Sequence, residues 1–508
     1  MNLIFGRAWA GRLPFLIFST LTMACSKDNT EITTNTGNAV TIDSVATTST
    51  SPEGNTDRAV NAEDLLANAT FSSVVSIAFG SSVTISNPLA GKGVEVTESN
   101  GDVIITSTVA EVAYILSGVN NNGSVKIYSD KKFKLTLNGL TLTNTDGPAL
   151  NIQSSKRAFI VLADQTTNIL TDGATYAANA TEDQKATLFS EGQLIFSGQG
   201  SLSVQGNYKH AICSDDYVRI ISGTLSIPSA VSDGIHTNEA FIADGGTVTM
   251  TTKGDGIQCE EGYVVINDGT FTINVADKGI AASYDTDTSI DPYLTINGGT
   301  INITSTAGEG IESKSVLTIN SGNISVKTFD DGLNAGTFIY INGGTVYANS
   351  SSNDGIDSNG KLTVTGGKVV SIGAAAPEEG FDCDRNTFKI TGGILVGMGG
   401  ATSTPTASVS TQPSVIMGGG SANQLLHIES NEGAEVLTLQ LPKTFTTLLF
   451  SSPKLKMGQS YRVYSGGSID ASTTFNGLYT SGTYTVGTQS GSFTASTMVT
   501  NAGGNTGR

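Results

Sequence analysis

The chain has 508 residues, 60 of them glycine, with only 14% charged residues and a formal net charge of −18. That balance argues against nucleic acid and anionic membrane surfaces as partners, and favours cations or polymers bridged through cations. With 3 histidines in the whole chain, Ser-His-Asp chemistry is disfavoured as well.

Met1 to Ala24 reads as a leader: Arg7 and Arg12 precede an apolar stretch, Leu13 to Met23, too short to span a bilayer as a mature helix. It ends Leu21-Thr22-Met23-Ala24-Cys25, which resembles a lipobox with Leu four residues before the cysteine rather than the usual three. Cys25 is therefore the expected lipidation site, giving an anchored protein that meets the membrane only through its lipid. Residues 25–61, poor in apolar side chains and rich in Thr, Asn and Ser, are expected to be a disordered tether. Ala62 to Asn68 is expected to form a short helix capping the first coil of a repeat region.

From 62 to 423 a unit recurs. Its first half is an acidic residue, Gly and an apolar residue, as in Asp233-Gly234-Ile235, Asp255-Gly256-Ile257, Glu309-Gly310-Ile311, Asp331-Gly332-Leu333, Asp354-Gly355-Ile356 and Glu379-Gly380-Phe381. Its second half is a Gly pair before a strand, as in Gly298-Gly299-Thr300 and Gly343-Gly344-Thr345. The step is 22 or 23 residues, a period that signals stacked structural repeats. Within a unit, apolar and polar residues alternate at period two over three short runs, the mark of half-buried strands. The expected fold is all-β: a right-handed parallel β-helix with about three strands per coil. Ile212, Ile235, Ile257, Ile280, Ile311, Leu333, Ile356 and Phe381 should form one inward column. Asn267, Asn297, Asn320 and Asn342, each preceding a Gly pair, are placed to satisfy turn backbone groups. The coil at Lys278 is longer, and its excess, Tyr284 to Tyr293, should leave the solenoid as a loop. Thr402 to Pro413 should be a loop, and residues 424–508 should add antiparallel strands covering the last coil, whose edges would otherwise be unpaired.

Stacking places equivalent carboxylates about 4.8 Å apart on the outside. Asp330, Asp331, Asp354, Asp357, Glu378, Glu379, Asp382 and Asp384 then fall on three consecutive coils, with Glu309, Glu312, Asp233 and Asp255 in the same columns further back. Like charges in register repel. Calcium takes 6 to 8 oxygens at about 2.3–2.6 Å, so it can be clasped between rungs; for any one Asp, a solvated turn residue is the plainer reading. Cys259 and Cys383 share an inward column but lie several coils apart and cannot bridge, and an inward cysteine reads as a small hydrophobe. His236 shares an outward position with Cys213, too few soft ligands for a structural zinc site, and His210 and His427 have no visible partner.

The run Leu135-Thr136-Leu137-Asn138-Gly139-Leu140, then Asp146-Gly147-Pro148, Leu162-Ala163-Asp164, the acidic-Gly-Ile repeats and the ending Tyr461-Arg462-Val463-Tyr464 resembles the bacterial carbohydrate-binding domain proteins with a polysaccharide-lyase-like β-helix. The resemblance covers roughly Ala62 to Ser490. It implies a calcium-binding protein that adheres to cellulose and to acidic polymers such as polygalacturonate, without cleavage. The expected product is a monomeric lipoprotein of the cell surface or outer membrane. Tyr263, Tyr284 and Tyr293 are candidate sugar platforms, with Tyr340 and Tyr347 behind them; strand packing is their ordinary use. A pectate-type lyase, which needs a Lys or Arg base beside calcium, a glycosidase using a pair such as Asp330 and Asp354, and a structural adhesin remain alternatives.

Overall fold

The computed structural model describes residues 39–49, 51–179, 181–284 and 286–507, all within one compact unit from Asn38 to Arg508. The leader, Cys25 and the first part of the expected tether lie outside the described residues. Among the described residues the structure is strands and turns, with two short 3-10 turns, Ala62–Asp64 and Leu66–Asn68.

Each coil contributes three strands, as the alternation requires. In the coil at Asp255 they are Ile257–Cys259, Tyr263–Ile266 and Thr270–Val275. Each pairs in parallel with its equivalents on both sides: Ile257 with Ile235 and Ile280, Val264 with Phe241 and Leu294, Phe271 with Val248 and Ile301. One face accumulates 13 strands, 12 of them stacked in parallel and the first, Val94–Ser99, joined antiparallel. The molecule is thus a parallel β-solenoid of about 13 turns, with antiparallel sheet elsewhere.

The register confirms the inward column. Ile212, Ile235, Ile257, Ile280, Ile311, Leu333, Ile356 and Phe381 pair in succession and are fully buried. Burying one such side chain stabilises by about 1.5–3 kcal/mol. The second residue of each Gly pair turns the corner in the left-handed region. Gly344 has φ +77°, and a Cβ there would lie 2.4 Å from the carbonyl oxygen of Gly322 on the preceding coil, so glycine is required.

The last parallel rung strand is Ile394–Gly399. Phe445–Ser451 pairs antiparallel with it, and then with Ser414–Gly420. The cap strands bring Leu437, Leu439, Phe450 and Tyr461 over outward apolar residues of the final coils, Tyr347, Val370 and Val396. Residues 402–413 are irregular, as expected.

The tether expectation changes from residue 39 onward. Ala39–Ile42 pairs antiparallel with Leu478–Thr485 of the cap. The chain then runs back along the solenoid as a strap. What holds it is the asparagine column, which forms a side-chain ladder: Asn297 donates to Asn267 (2.9 Å), Asn320 to Asn297 (2.8 Å) and Asn342 to Asn320 (2.8 Å). The remaining Nδ2–H bonds go to strap carbonyls: Asn342 to Glu53 (2.7 Å), Asn320 to Asn55 (2.9 Å), Asn297 to Asp57 (2.8 Å) and Asn267 to Arg58 (3.0 Å). Sequence polarity suggested disorder because the strap's partners are amides rather than apolar surface. Its end is fixed by fully buried Asp64, which meets Arg157 at 2.8 Å and Arg219 at 3.2 Å. The turns at 62–68 therefore clamp the flank of mid-solenoid coils instead of capping the first coil.

Replacing Asn320 with Ala should cost about 1–3 kcal/mol, the usual penalty for orphaning buried amide partners. It should also make the strap between Glu53 and Arg58 the first site of limited proteolysis. Unchanged protease resistance would show that the ladder does not hold the strap.

Candidate functional site

The acidic column has a structural duty that the sequence did not reveal. One oxygen of each Asp accepts the backbone N–H of the equivalent residue on the next coil. Asp233 accepts from Asp255 at 2.9 Å, Asp255 from Lys278 at 2.8 Å, Asp331 from Asp354 at 2.9 Å, and Asp354 from Glu379. The recurring acid thus caps the next rung, and its second oxygen is left for other work.

Along the column that second oxygen meets three different environments. At Asp233 it lies between two imidazoles, His210 at 3.1 Å and His236 at 3.0 Å. Burial acts to raise Asp233, but contact with His210 and then His236 outweighs it and holds the carboxyl well below its usual range. Asp255, without such a partner, is pushed up to about 7 by burial and by Asp233. In the middle coils Glu312 is buried between Lys278 and Lys314, the latter at 2.5 Å. Glu309, also raised by burial, feels the same Lys278. Glu312 is therefore already neutralised, and the lysine that breaks the acidic pattern is the reason.

On the last coils, among the described residues, no lysine or histidine is paired with Asp331, Asp354 or Asp357. Asp331, Asp354 and Asp357 bring ligand oxygens within 4.8 Å of one another. Asn334 donates to both Asp331 (3.1 Å) and Asp357 (2.9 Å). Burial, followed by backing from neighbouring carboxylates, pushes Asp331 up to about 7 and Asp354, Asp357 and Glu379 up to about 8. Glu379 is 3% exposed and its Oε2 is buried without a partner. Asp354, Glu378, Glu379, Asp382 and Asp384 line one groove of about 740 Å³, together with Arg385. Asp330 sits at its edge, accepting from Asn353 at 2.7 Å.

This donor set fits a hard divalent cation. It offers several carboxylate oxygens, the ligand chemistry of calcium, and on Glu379 an orphaned buried oxygen. Asp331, Asp354 and Asp357 would hold the ion, which would supply the missing positive charge. Arg385 is the groove residue that reasoning from the acidic repeats missed. It lies just past the last repeat, at φ +60° beside Asp384 at φ +49°, and no periodic signal marks it.

The aromatic candidates are less open than their sequence positions suggest. Tyr263 and Tyr293 stack on each other in register, with centroids 4.9 Å apart and planes 3° off parallel. Each turns a face to its neighbour, and the Tyr293 hydroxyl donates to Asp57 of the strap at 3.0 Å. Tyr284, in the long loop, is 39% exposed. Tyr347 lies beneath the cap.

Comparison with known proteins finds relatives of part of the chain. The model of a family described as carbohydrate-binding domain-containing protein matches residues 99–355. A carbohydrate-binding domain-containing protein of Acetivibrio thermocellus is 30% identical over 118 residues, 22% of this chain and 41% of that protein. The match therefore spans less than half of that relative's length. A solved structure, the polysaccharide lyase-like protein from C. thermocellum as a gadolinium derivative, shows 25% identity and a TM-score of 0.41, covering 53% of this chain and 96% of the other.

The raised carboxyls give the protein a pH dependence. Their folded values near 7 to 8 lie above unfolded values of about 4, so the folded protein retains protons that the unfolded chain releases. The stability they contribute is full below about pH 4 and is lost as pH rises through 7 to 8. Denaturant melts in chelator should show lower stability at pH 8.5 than at pH 5, and a saturating divalent cation should remove the decline. A flat profile in chelator would show that these carboxyls are not strained.

Proposed function

The chain belongs to the carbohydrate-binding domain-containing protein family, and on that premise we propose that it binds polysaccharide outside the cell through calcium held on its last coils, without cleaving it. The observation that carries this reading is the convergence of Asp331, Asp354 and Asp357, with Asp354 also lining the acidic groove. A cation held by these carboxylates would answer the repulsion beside the groove. A uronate carboxylate could complete the shell, which would let a protein of net charge −18 hold an acidic glycan. Cellulose, the neutral alternative, would need stacking surfaces; of the three candidate tyrosines, only Tyr284 is exposed. The leader and Cys25 support processing to a monomeric lipoprotein at the cell surface or outer membrane.

One observation favours a second reading, a lyase. Arg385 lines the same groove as the acidic cluster, and proton abstraction beside calcium-bound uronate needs a base of that kind.

Purified protein should be retained on immobilised polygalacturonate in calcium and released by chelator. Asp331→Asn with Asp354→Asn should weaken retention by at least about tenfold, the scale expected when charged ligands are lost. Retention indifferent to both chelator and the double variant would overturn the calcium reading. Unsaturated product that disappears in Arg385→Ala would establish the lyase instead.

A further inference from the structure

The far end of the same column carries a site of different chemistry. His210 opens the strand His210–Ser214, and His236 lies in the next rung strand, Ile235–Thr237. Asp233 stands between them, and Glu260 lies on the coil beyond. The two imidazole rings stack with centroids 4.3 Å apart and planes 27° off parallel. The same oxygen, Oδ2 of Asp233, lies 3.1 Å from Nδ1 of His210 and 3.0 Å from Nδ1 of His236.

Tautomer bookkeeping makes this arrangement unusual. Nε2 of His236 is 3.2 Å from the Glu260 carboxylate, which as an acceptor favours the proton on Nε2 and leaves a lone pair on Nδ1. Nδ1 of His210 accepts the backbone N–H of Asp233 in a long contact of 3.4 Å, so in the neutral ring its lone pair is only weakly engaged and an ion would displace that contact. With His236 doubly protonated, its ring donates to Asp233 on one side and Glu260 on the other; with the proton on Nε2 alone, two ring nitrogens and an anionic oxygen face one another across a space the size of an ion. His210 is 2% exposed, and its Nε2 has no partner, so moving a proton there from Nδ1 or back leaves one ring atom unsatisfied in either state. A positive ion bound by Nδ1 of both rings and Oδ2 of Asp233 would take the place of the proton that otherwise joins the carboxylate to an imidazole.

We propose that His210, Asp233 and His236 form a binding site for a borderline divalent transition metal of the zinc class, separate from the acidic groove. The donor set is two imidazoles and one carboxylate, the combination that suits zinc rather than calcium. In a tetrahedral site with bonds of about 2.0–2.1 Å, neighbouring ligands lie about 3.3 Å apart; the observed 3.0 and 3.1 Å need only a small spread. The three donor atoms lie within 4.8 Å of one another. Side chains of His236 and Asp233 are 12% and 13% exposed, which leaves one side open for ion entry and a fourth ligand from solvent. Glu260 is a positioning residue: it orients His236 by the carboxylate–imidazole–metal relay common in such centres. The backbone N–H of Asp255, bound to the other oxygen of Asp233, fixes the carboxylate in the same way. The acidic groove lies four rung pairings further on, from Ile235 through Ile257, Ile280 and Ile311 to Leu333, so the two sites can be separated by mutation.

The test is calorimetric titration of chelator-stripped full-length mature protein with zinc chloride in millimolar calcium, together with the visible spectrum after cobalt substitution. One equivalent of zinc should bind, and cobalt should give the intense bands of a four-coordinate site. His210→Gln and His236→Gln should each weaken zinc by about 100-fold or more, and Glu260→Gln by about tenfold. Asp331→Asn with Asp354→Asn should leave zinc affinity unchanged. Zinc uptake no greater than in the His210→Gln, His236→Gln double variant, or lost with the Asp331 and Asp354 pair, would overturn the proposal. Should the histidine variants not fold, the cobalt spectrum of the parent protein decides: weak six-coordinate bands refute the site.

Discussion

Parallel stacking of one coil on the next converts a repeat of 22 or 23 residues into columns of like side chains about 4.8 Å apart. Everything chemical in this protein is a consequence of that conversion. The inward columns gain from it, because Ile257 meets Ile235 and Ile280 and all three leave water. The outward columns do not gain automatically, since charge repeated at that spacing repels itself. The chain tolerates an acid at each turn because its carboxylate caps the backbone N–H of the next rung, as Asp331 does for Asp354. A one-residue slip would undo the core and the caps together.

The cost of that capping scheme is a buried stack of negative charge, and the column meets it in three ways. Imidazoles flank Asp233. Lysines close on Glu312. Asp331, Asp354 and Asp357 have no lysine or histidine partner among the described residues, and the carboxyls are driven towards neutrality by burial and by one another. The same structural motif is thereby an internal ion pair at one height and a candidate ion site at another. The difference lies in one or two side chains per coil.

The strap shows the polar counterpart. A column of asparagines forms a ladder of amide hydrogen bonds along the solenoid, and each rung spends its spare N–H on a strap carbonyl. This occupies the flank that holds Tyr263 and Tyr293 and ties the first described strand, Ala39–Ile42, to the cap. Tyr263 and Tyr293 are thereby half-buried, while Tyr284 is exposed and the acidic groove is open.

Periodicity made the solenoid legible, because a column of isoleucines at fixed spacing has one way to be buried and the glycines mark where each coil turns. The acidic columns were legible for the same reason, down to which carboxylates share three coils. The partners of each acid were not: the contacts between His210, Asp233 and His236 depend on ring rotation and a shared oxygen, and Arg385 lies outside any repeat. The strap hid because its anchors are amides more than 200 residues away, as between Arg58 and Asn267, and polar composition alone reads as disorder. Sequence by itself determined the winding, its core and the register of its charges, since these arise from local alternation repeated along the chain. Only the tertiary structure decided which charges are neutralised, which are capped and which are left facing solvent, since that depends on side chains brought together from different coils and from the strap.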